Sequence, residues 1–175
     1  PQFTFATAWD ASLGNGTEEN PYQVSNLYQL IFISQNTTMW DKHFIQTTDI
    51  DASLTSELDE GAGFSPIGNS TIKFTGSYDG DSHTISNLYI NRPITNYIGL
   101  FGYTDEATIS NLGLTDNEII GQSYTGSFVG RVSSSTISNS YATGAVSGSS
   151  WEGGLVGYAY SSAITNSFWD TETSG

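Results

Sequence analysis

The sequence predicts an all-β fold: a right-handed parallel β-helix (β-solenoid) with a short N-terminal capping helix and an extended N-terminal arm. Three observations predict it. A four-residue motif recurs at near-constant spacing, the apolar runs between its copies are short and lack helical spacing, and the composition suits many brief strands joined by turns.

The motif reads TISN at 84–87, 108–111 and 136–139, and AITN at 163–166. Its isoleucines, Ile85, Ile109, Ile137 and Ile164, follow one another at intervals of 24, 28 and 27 residues. Gly102, Gly130 and Gly157 each stand seven residues ahead of the last three isoleucines, closing GLFG, SFVG and GLVG. In the first copy the corresponding stretch is SYDG, two residues closer to its isoleucine. A period near 27 is one coil per repeat, with strands pairing in parallel above and below at about 4.8 Å. Right-handed crossovers are the rule for parallel strands. The four isoleucines then form one inward column, and Leu100, Phe128 and Leu155 another. The glycines permit a tight corner or a positive φ. Asn87, Asn111, Asn139 and Asn166 fall at one coil position and are expected to form a hydrogen-bonded ladder.

Ahead of the repeats, SNLYQLIFISQ at 25–35 places Leu27, Leu30 and Ile31 at helical spacing, with Ser25 as cap, a helix suited to cover the lower end of the coils. Residues 43–48 and 67–74 read as strands of irregular first coils. The chain therefore divides into an arm at 1–20, a cap helix with irregular coils at 21–73, and regular coils at 74–175, all in one continuous domain. In the arm, Phe3, Phe5 and Trp9 share one face of an alternating pattern. Such a strand either folds back on its own solenoid or adds to a neighbouring molecule. Residues 163–175 read as a last coil without a polar or helical cap, which favours head-to-tail association.

Eighteen acidic residues against Lys42, Lys73, Arg92 and Arg131 give a net charge of −14. Nucleic acid and anionic membranes are poor partners for such a chain, because both need clustered cations. Lys73, Arg92 and Arg131 are too scattered in sequence to define a docking face. There is no cysteine, so neither a disulfide framework nor a thiolate metal site is expected. PQFTFATAW has neither the basic start nor the apolar run of a secretory leader, and no apolar run suffices for membrane insertion.

GLFG at 99–102, GLVG at 154–157 and the variant SFVG at 127–130 resemble the signature of the GLUG repeat family of large bacterial and archaeal surface proteins, which includes adhesin-like and IgA-protease-type chains. The lead-in segments GTEENPYQVSN, TTDIDAS, FSPIGN and FTGSYDGDSHTISNLYI, and the closing SFWDTETSG, are similar to that family as well. The resemblance implies a β-helix and a mainly extracellular scaffolding role.

YDGDSHTISN at 78–87 holds the residues that look most like a site. Asp79-Gly80 is a favoured turn pair, and a turn is the preferred reading. Ca²⁺ is a candidate ligand only if Asp49, Asp51, Asp79 and Asp81 converge; otherwise no cofactor is expected. His43 and His83 lack a nucleophile motif around them, and a lyase site for acidic sugars is poorly supplied with cations, so no catalytic residues are assigned. Trp9, Trp40, Trp151 and Trp169 suit core packing better than sugar stacking. Asn15, Asn36 and Asn69 open N-glycosylation triplets. The expectation is a non-catalytic extracellular or cell-surface module, structural or adhesive, that associates with itself or with other surface-protein domains and forms a filament subunit. Glycans are candidate partners, and a carbohydrate-binding or polysaccharide-degrading β-helix is the alternative.

Overall fold

The computed structural model describes residues 11–170 as stacked coils of parallel strands. The lowest coil runs β1 (Tyr22–Val24), helix α1 (Leu27–Gln35), then β2 (His43–Gln46) and β3 (Ile50–Asp51) of the next. After two short 3₁₀ turns the chain enters β4 (Ser77–Asp79), β5 (Thr84–Ser86), β6 (Tyr89–Asn91) and β7 (Phe101–Asp105). A regular coil follows: β8 (Thr108–Ser110), β9 (Gly113–Ile120), β10 (Ser123–Gly126) and β11 (Val129–Ser133). Above it lie β12 (Thr136–Ser138), β13 (Tyr141–Ser147), β14 (Ser150–Gly153) and β15 (Val156–Tyr160), and then β16 (Ala163–Thr165) and β17 (Phe168–Trp169).

Stacking produces four faces. Face A orders its strands β1-β2-β4-β8-β12-β16; face B orders them β3-β5-β9-β13-β17, with β6 also on β9. Face C is β10-β14 and face D is β7-β11-β15. Every strand pair is parallel. Short strands suffice because each TIS segment alternates, with Thr and Ser outward and Ile inward, and each is bonded on both sides by its neighbouring coils.

Left-handed backbone makes the corners. Glu106, Ser134 and Ser161 (φ 55, 47 and 48°) turn face D into face A, and Asn111, Asn139 and Asn166 (φ 53, 50 and 49°) turn face A into face B. Tyr97, Tyr124 and Trp151 (φ 64, 58 and 56°) form a further left-handed column on face C. In the regular coils a strand of three to five residues on faces D and A is followed by one left-handed residue, whereas on faces B and C the left-handed residues Asp116, Tyr124 and Trp151 lie within β9, β10 and β14.

The core runs along the stack. On face A the inward column is Phe44, Tyr78, Ile109, Ile137 and Ile164. Ile85 does not belong to it. Ile85 sits on face B between Ile50 and Leu114, one corner further round the coil. The cause is the tight turn at 80–83, which carries the chain past the first corner, so the TISN at 84–87 forms the next side. Asn87 (φ 59°) accordingly aligns near Asp116 (φ 53°), outside the column of the other three asparagines. Leu100, Phe128 and Leu155 are buried at equivalent positions of three successive coils.

Three other expectations change at the N-terminal end. The cap of α1 is Asn26 rather than Ser25: its side chain accepts from Gln29 N at 3.1 Å, while Ser25 N donates to Gln29 Oε1 at 2.7 Å. The helix buries Leu27, Leu30, Ile31 and Ile33 in the same core as the strands. Residues 67–74 form no strand. Only Ile67 and Phe74 bridge to Phe101 and Thr104, because Gly68 (φ 81°) and an Asn69 turn bulge the chain between them. Residues 11–20 are not an extended arm: a 3₁₀ turn at Ala11–Leu13 leads into a loop in which Asn15 N and Gly16 N both donate to Asn20 O. The arm residues Phe3, Phe5 and Trp9 lie outside the described residues.

Candidate functional site

The segment 78–87 is a turn with dedicated partners. Asp79 Oδ1 accepts from Asp81 N and from Asn111 Nδ2, both at 2.9 Å, and His83 N donates to Gly80 O. Asp81 and Ser82 supply the left-handed conformation that such a two-residue turn requires (φ 48 and 70°). Asp49 lies beneath His83 and accepts from Thr84 N at 2.8 Å and from the imidazole at 3.3 Å. Those bonds, Thr84 first, hold its carboxyl below the usual value. Asp51 is lowered in the same way by Ser53 N and by the Asn87 amide. The four aspartates serve three separate arrangements. Among the described residues no three His, Asp or Glu side chains group where they could hold a metal ion.

Asn166 Nδ2 donates to Asn139 Oδ1 at 3.2 Å, Asn139 to Asn111 at 3.1 Å, and Asn111 to Asp79. The run of amides therefore ends on a carboxylate at its lower end. Gly102, Gly130 and Gly157 occupy one column of face D, above Gly68. None of the three has a left-handed φ; glycine is required there because a Cβ would lie 2.4–2.5 Å from backbone atoms of adjoining segments. For Gly130 those atoms are Ile98 N and Tyr124 O. The glycines make room for the left-handed aromatic corner that leans on them.

That corner is the most distinctive surface of the molecule. The rings of Tyr97 and Tyr124 stack at 5.0 Å and 8°, and those of Tyr124 and Trp151 at 6.2 Å and 4°. Tyr103 stacks on Tyr97 from below at 5.5 Å, and Tyr158 meets Tyr124 and Trp151 edge-on. A bulky residue in left-handed backbone costs about 1–2 kcal/mol, which ring stacking offsets in part at about 0.5–1.5 kcal/mol per pair. Trp151 is 55 % and Trp169 48 % exposed, so of the described tryptophans only Trp40 is a core residue.

Cations join this face. Arg131 lies between Tyr103 and Tyr158 in the face D column, its guanidinium carbon 4.8 Å from one ring centre and 5.6 Å from the other. Lys73 Nζ approaches the same Tyr103 ring at 5.6 Å. Two of the basic residues expected to be scattered converge: the fold brings Lys73 and Arg131, 58 positions apart in sequence, to one tyrosine, while Arg92 pairs with Asp59 elsewhere. Sequence reasoning missed the aromatic column, although its 27-residue spacing at 97, 124 and 151 was the available signal.

The glycosylation triplets differ in setting. Asn15 and Asn69 are exposed, and their side-chain oxygens accept local backbone N–H groups, Thr17 N and Thr71 N respectively. Asn36 is half-buried, and its amide nitrogen, the atom a glycan would join, donates to Phe32 O at 2.8 Å. At the upper end of the stack, Ile164, Phe168 and Trp169 are 39, 62 and 48 % exposed, whereas Ile137 one coil below is fully buried.

Residues 121–147, one full coil from before β10 to the end of β13, match the family model of the GLUG motif. Halomucin from Haloquadratum walsbyi is 41 % identical over 140 residues, covering 77 % of this chain and 2 % of that protein. A candidate Gly-rich membrane protein from Evansella cellulosilytica is 40 % identical over 108 residues, covering 61 % of this chain and 12 % of its relative. The chain thus spans a small part of the length of the curated relatives it matches. In the crystal structure of a candidate immunoglobulin A1 protease from Bacteroides ovatus, a similar fold covers 88 % of this chain and 67 % of that one, with a TM-score of 0.55 and 19 % identity. The motif match on a single coil and the parallel stacking of its neighbours lead to one assignment: the chain is a parallel β-solenoid that carries a GLUG motif at residues 121–147.

Proposed function

We propose that the chain is a non-catalytic structural module of an extracellular or cell-surface protein, a rigid rod that associates end to end through strand addition. The observation that supports this reading is the parallel stacking of faces A and B, in which Ile137 and Ala142 are buried beneath Ile164 and Trp169 of the next rung. A parallel rung over an apolar column takes a further strand readily, because backbone bonds and side-chain burial are gained together. The occupant proposed is the lower end of a second copy. The names of the relatives support a surface setting, and the charge of −14 keeps rods apart sideways.

Sizing by light scattering over a concentration series, with negative-stain microscopy, tests the association. Elongated oligomers that lengthen with concentration are expected, and Ile164→Lys with Phe168→Lys should reduce them to monomers. A wild-type chain that stays monomeric at high concentration overturns the reading. Sustained release of reducing ends from a polysaccharide panel overturns its non-catalytic part.

A further inference from the structure

Of the four cationic side chains, two are ion-paired among the described residues. Lys42 pairs with Asp41 at 3.0 Å, and Arg92 pairs with Asp59 at 2.7 Å while also donating to Ser65 and the Gly63 and Phe64 carbonyls. Lys73 and Arg131 have no hydrogen bond and no carboxylate within ion-pair distance among the described residues, even though acidic groups outnumber basic ones more than fourfold. Asp105, two residues from Tyr103 on β7, pairs with neither. Both cations rest instead on the Tyr103 ring. The Arg131 Nε is buried with no acceptor, so part of the group has lost water and gained no anion in exchange.

We propose that this face is a binding site for an acidic polysaccharide, with Arg131 receiving a uronate carboxylate and the tyrosine comb supporting the sugar chain. Tyr103 below and Tyr158 above hold the guanidinium in the column, so the rotamer entropy of a free arginine side chain is largely lost before the ligand arrives. The planar fork matches a carboxylate in a two-point contact, and in partly desolvated surroundings that bond is stronger than on open surface. Lys73 adds charge from the coil below. The half-exposed rings of Tyr97, Tyr124 and Tyr158 offer apolar edges and phenol hydroxyls suited to sugar C–H and O–H groups, and the exposed Trp151 extends the comb. Arg131 lies on β11, the middle strand of face D with β7 below and β15 above, so the site is complete in a single molecule and does not depend on end-to-end association.

Calorimetric titration of the full chain at low salt with hexagalacturonate, and with the same oligosaccharide fully methyl-esterified, tests the site. Binding of the acid form but not the neutral ester is expected, weakening as salt is added. Arg131→Gln should weaken it roughly 10- to 100-fold. Arg131→Lys, which keeps the charge and loses the fork, should restore only a small part. Lys73→Gln should weaken it by up to about fivefold, and Lys42→Gln should leave it unchanged. If Arg131→Gln fails to fold, the acid-against-ester comparison on the wild type and the Lys73→Gln titration still decide. Equal binding of acid and ester, no heat up to millimolar ligand, or an Arg131→Gln variant that binds normally would each overturn the proposal. So would a loss of self-association in Arg131→Gln without any glycan effect, which would give the guanidinium to a carboxylate of a neighbouring copy.

Discussion

The hydroxyl of Tyr78 donates to Gln46 Oε1 at 3.0 Å in the middle of the core, and Gln46 Nε2 donates onward to the carbonyls of Thr48 and Thr84 at 2.8 and 2.9 Å. Both side chains are buried, and the bonds to Tyr78 and Thr84 cross between coils while that to Thr48 is local. Burial pushes the Tyr78 phenol well above its ordinary range. Tyr78→Phe leaves Gln46 Oε1 without its donor and should cost about 1–3 kcal/mol in chemical denaturation. Because the folded pKa is raised, the stability tied to neutral Tyr78 is complete below about pH 10 and declines as pH rises beyond it. The variant should show a flatter alkaline limb than the wild type; identical limbs would mean the phenol is not held neutral by the fold.

Asn139 carries two jobs, a left-handed corner and a rung of the amide ladder. Asn139→Gly removes only the bonds and should cost about 1 kcal/mol. Asn139→Ala also meets the left-handed penalty and should cost about 1–2 kcal/mol more. Thermal melts of the two variants check the ordering, and equal losses would show that φ is not the constraint.

Gly130→Ala places a methyl 2.5 Å from both Ile98 N and Tyr124 O. Backbone on both sides cannot rotate away, so the loss should be large, on the order of 3 kcal/mol. Gly61→Ala, where the methyl meets nothing within 4 Å, serves as the comparison and should lose less, its strain arising only from its φ of 90°. Circular dichroism melts distinguish the two.

Asp49 and Asp51 are both held below the usual carboxylate value by bonds they accept. A depressed folded pKa gives stability that is present above the unfolded value of about 4 and is lost as pH falls through the folded one. Asp49→Asn with Asp51→Asn should therefore lower stability at neutral pH and flatten the acid limb, wild type and variant converging below about pH 4. Urea midpoints measured across that range check it, and an unchanged acid limb would remove these bonds from the account.

The coil period, the alternation within each TIS strand and the asparagine corners were written in the chain, because each is a local requirement: an inward apolar residue every second position and a residue that tolerates left-handed φ at the bend. The same local character explains the misplacement of Ile85. TISN specifies a strand and a corner but not which side of the coil it forms, and the interval of 24 where the others are 28 and 27 was the only trace of the extra turn before it. Tyr97, Tyr124 and Trp151 hid for the opposite reason. Large aromatic residues are poor left-handed formers by themselves, and only stacking between coils and the missing Cβ of the glycine column make that backbone tolerable.

What the sequence determined alone was the stacked parallel architecture, since repetition at one period requires coils that lie over one another. What only the tertiary structure decided was which charges remain unpaired. Lys73 and Arg131 are remote along the chain and become neighbours of one ring because successive coils return to the same face. Whether a cation finds a carboxylate depends on distances of a few ångströms between coils, and no pattern of residue types records those.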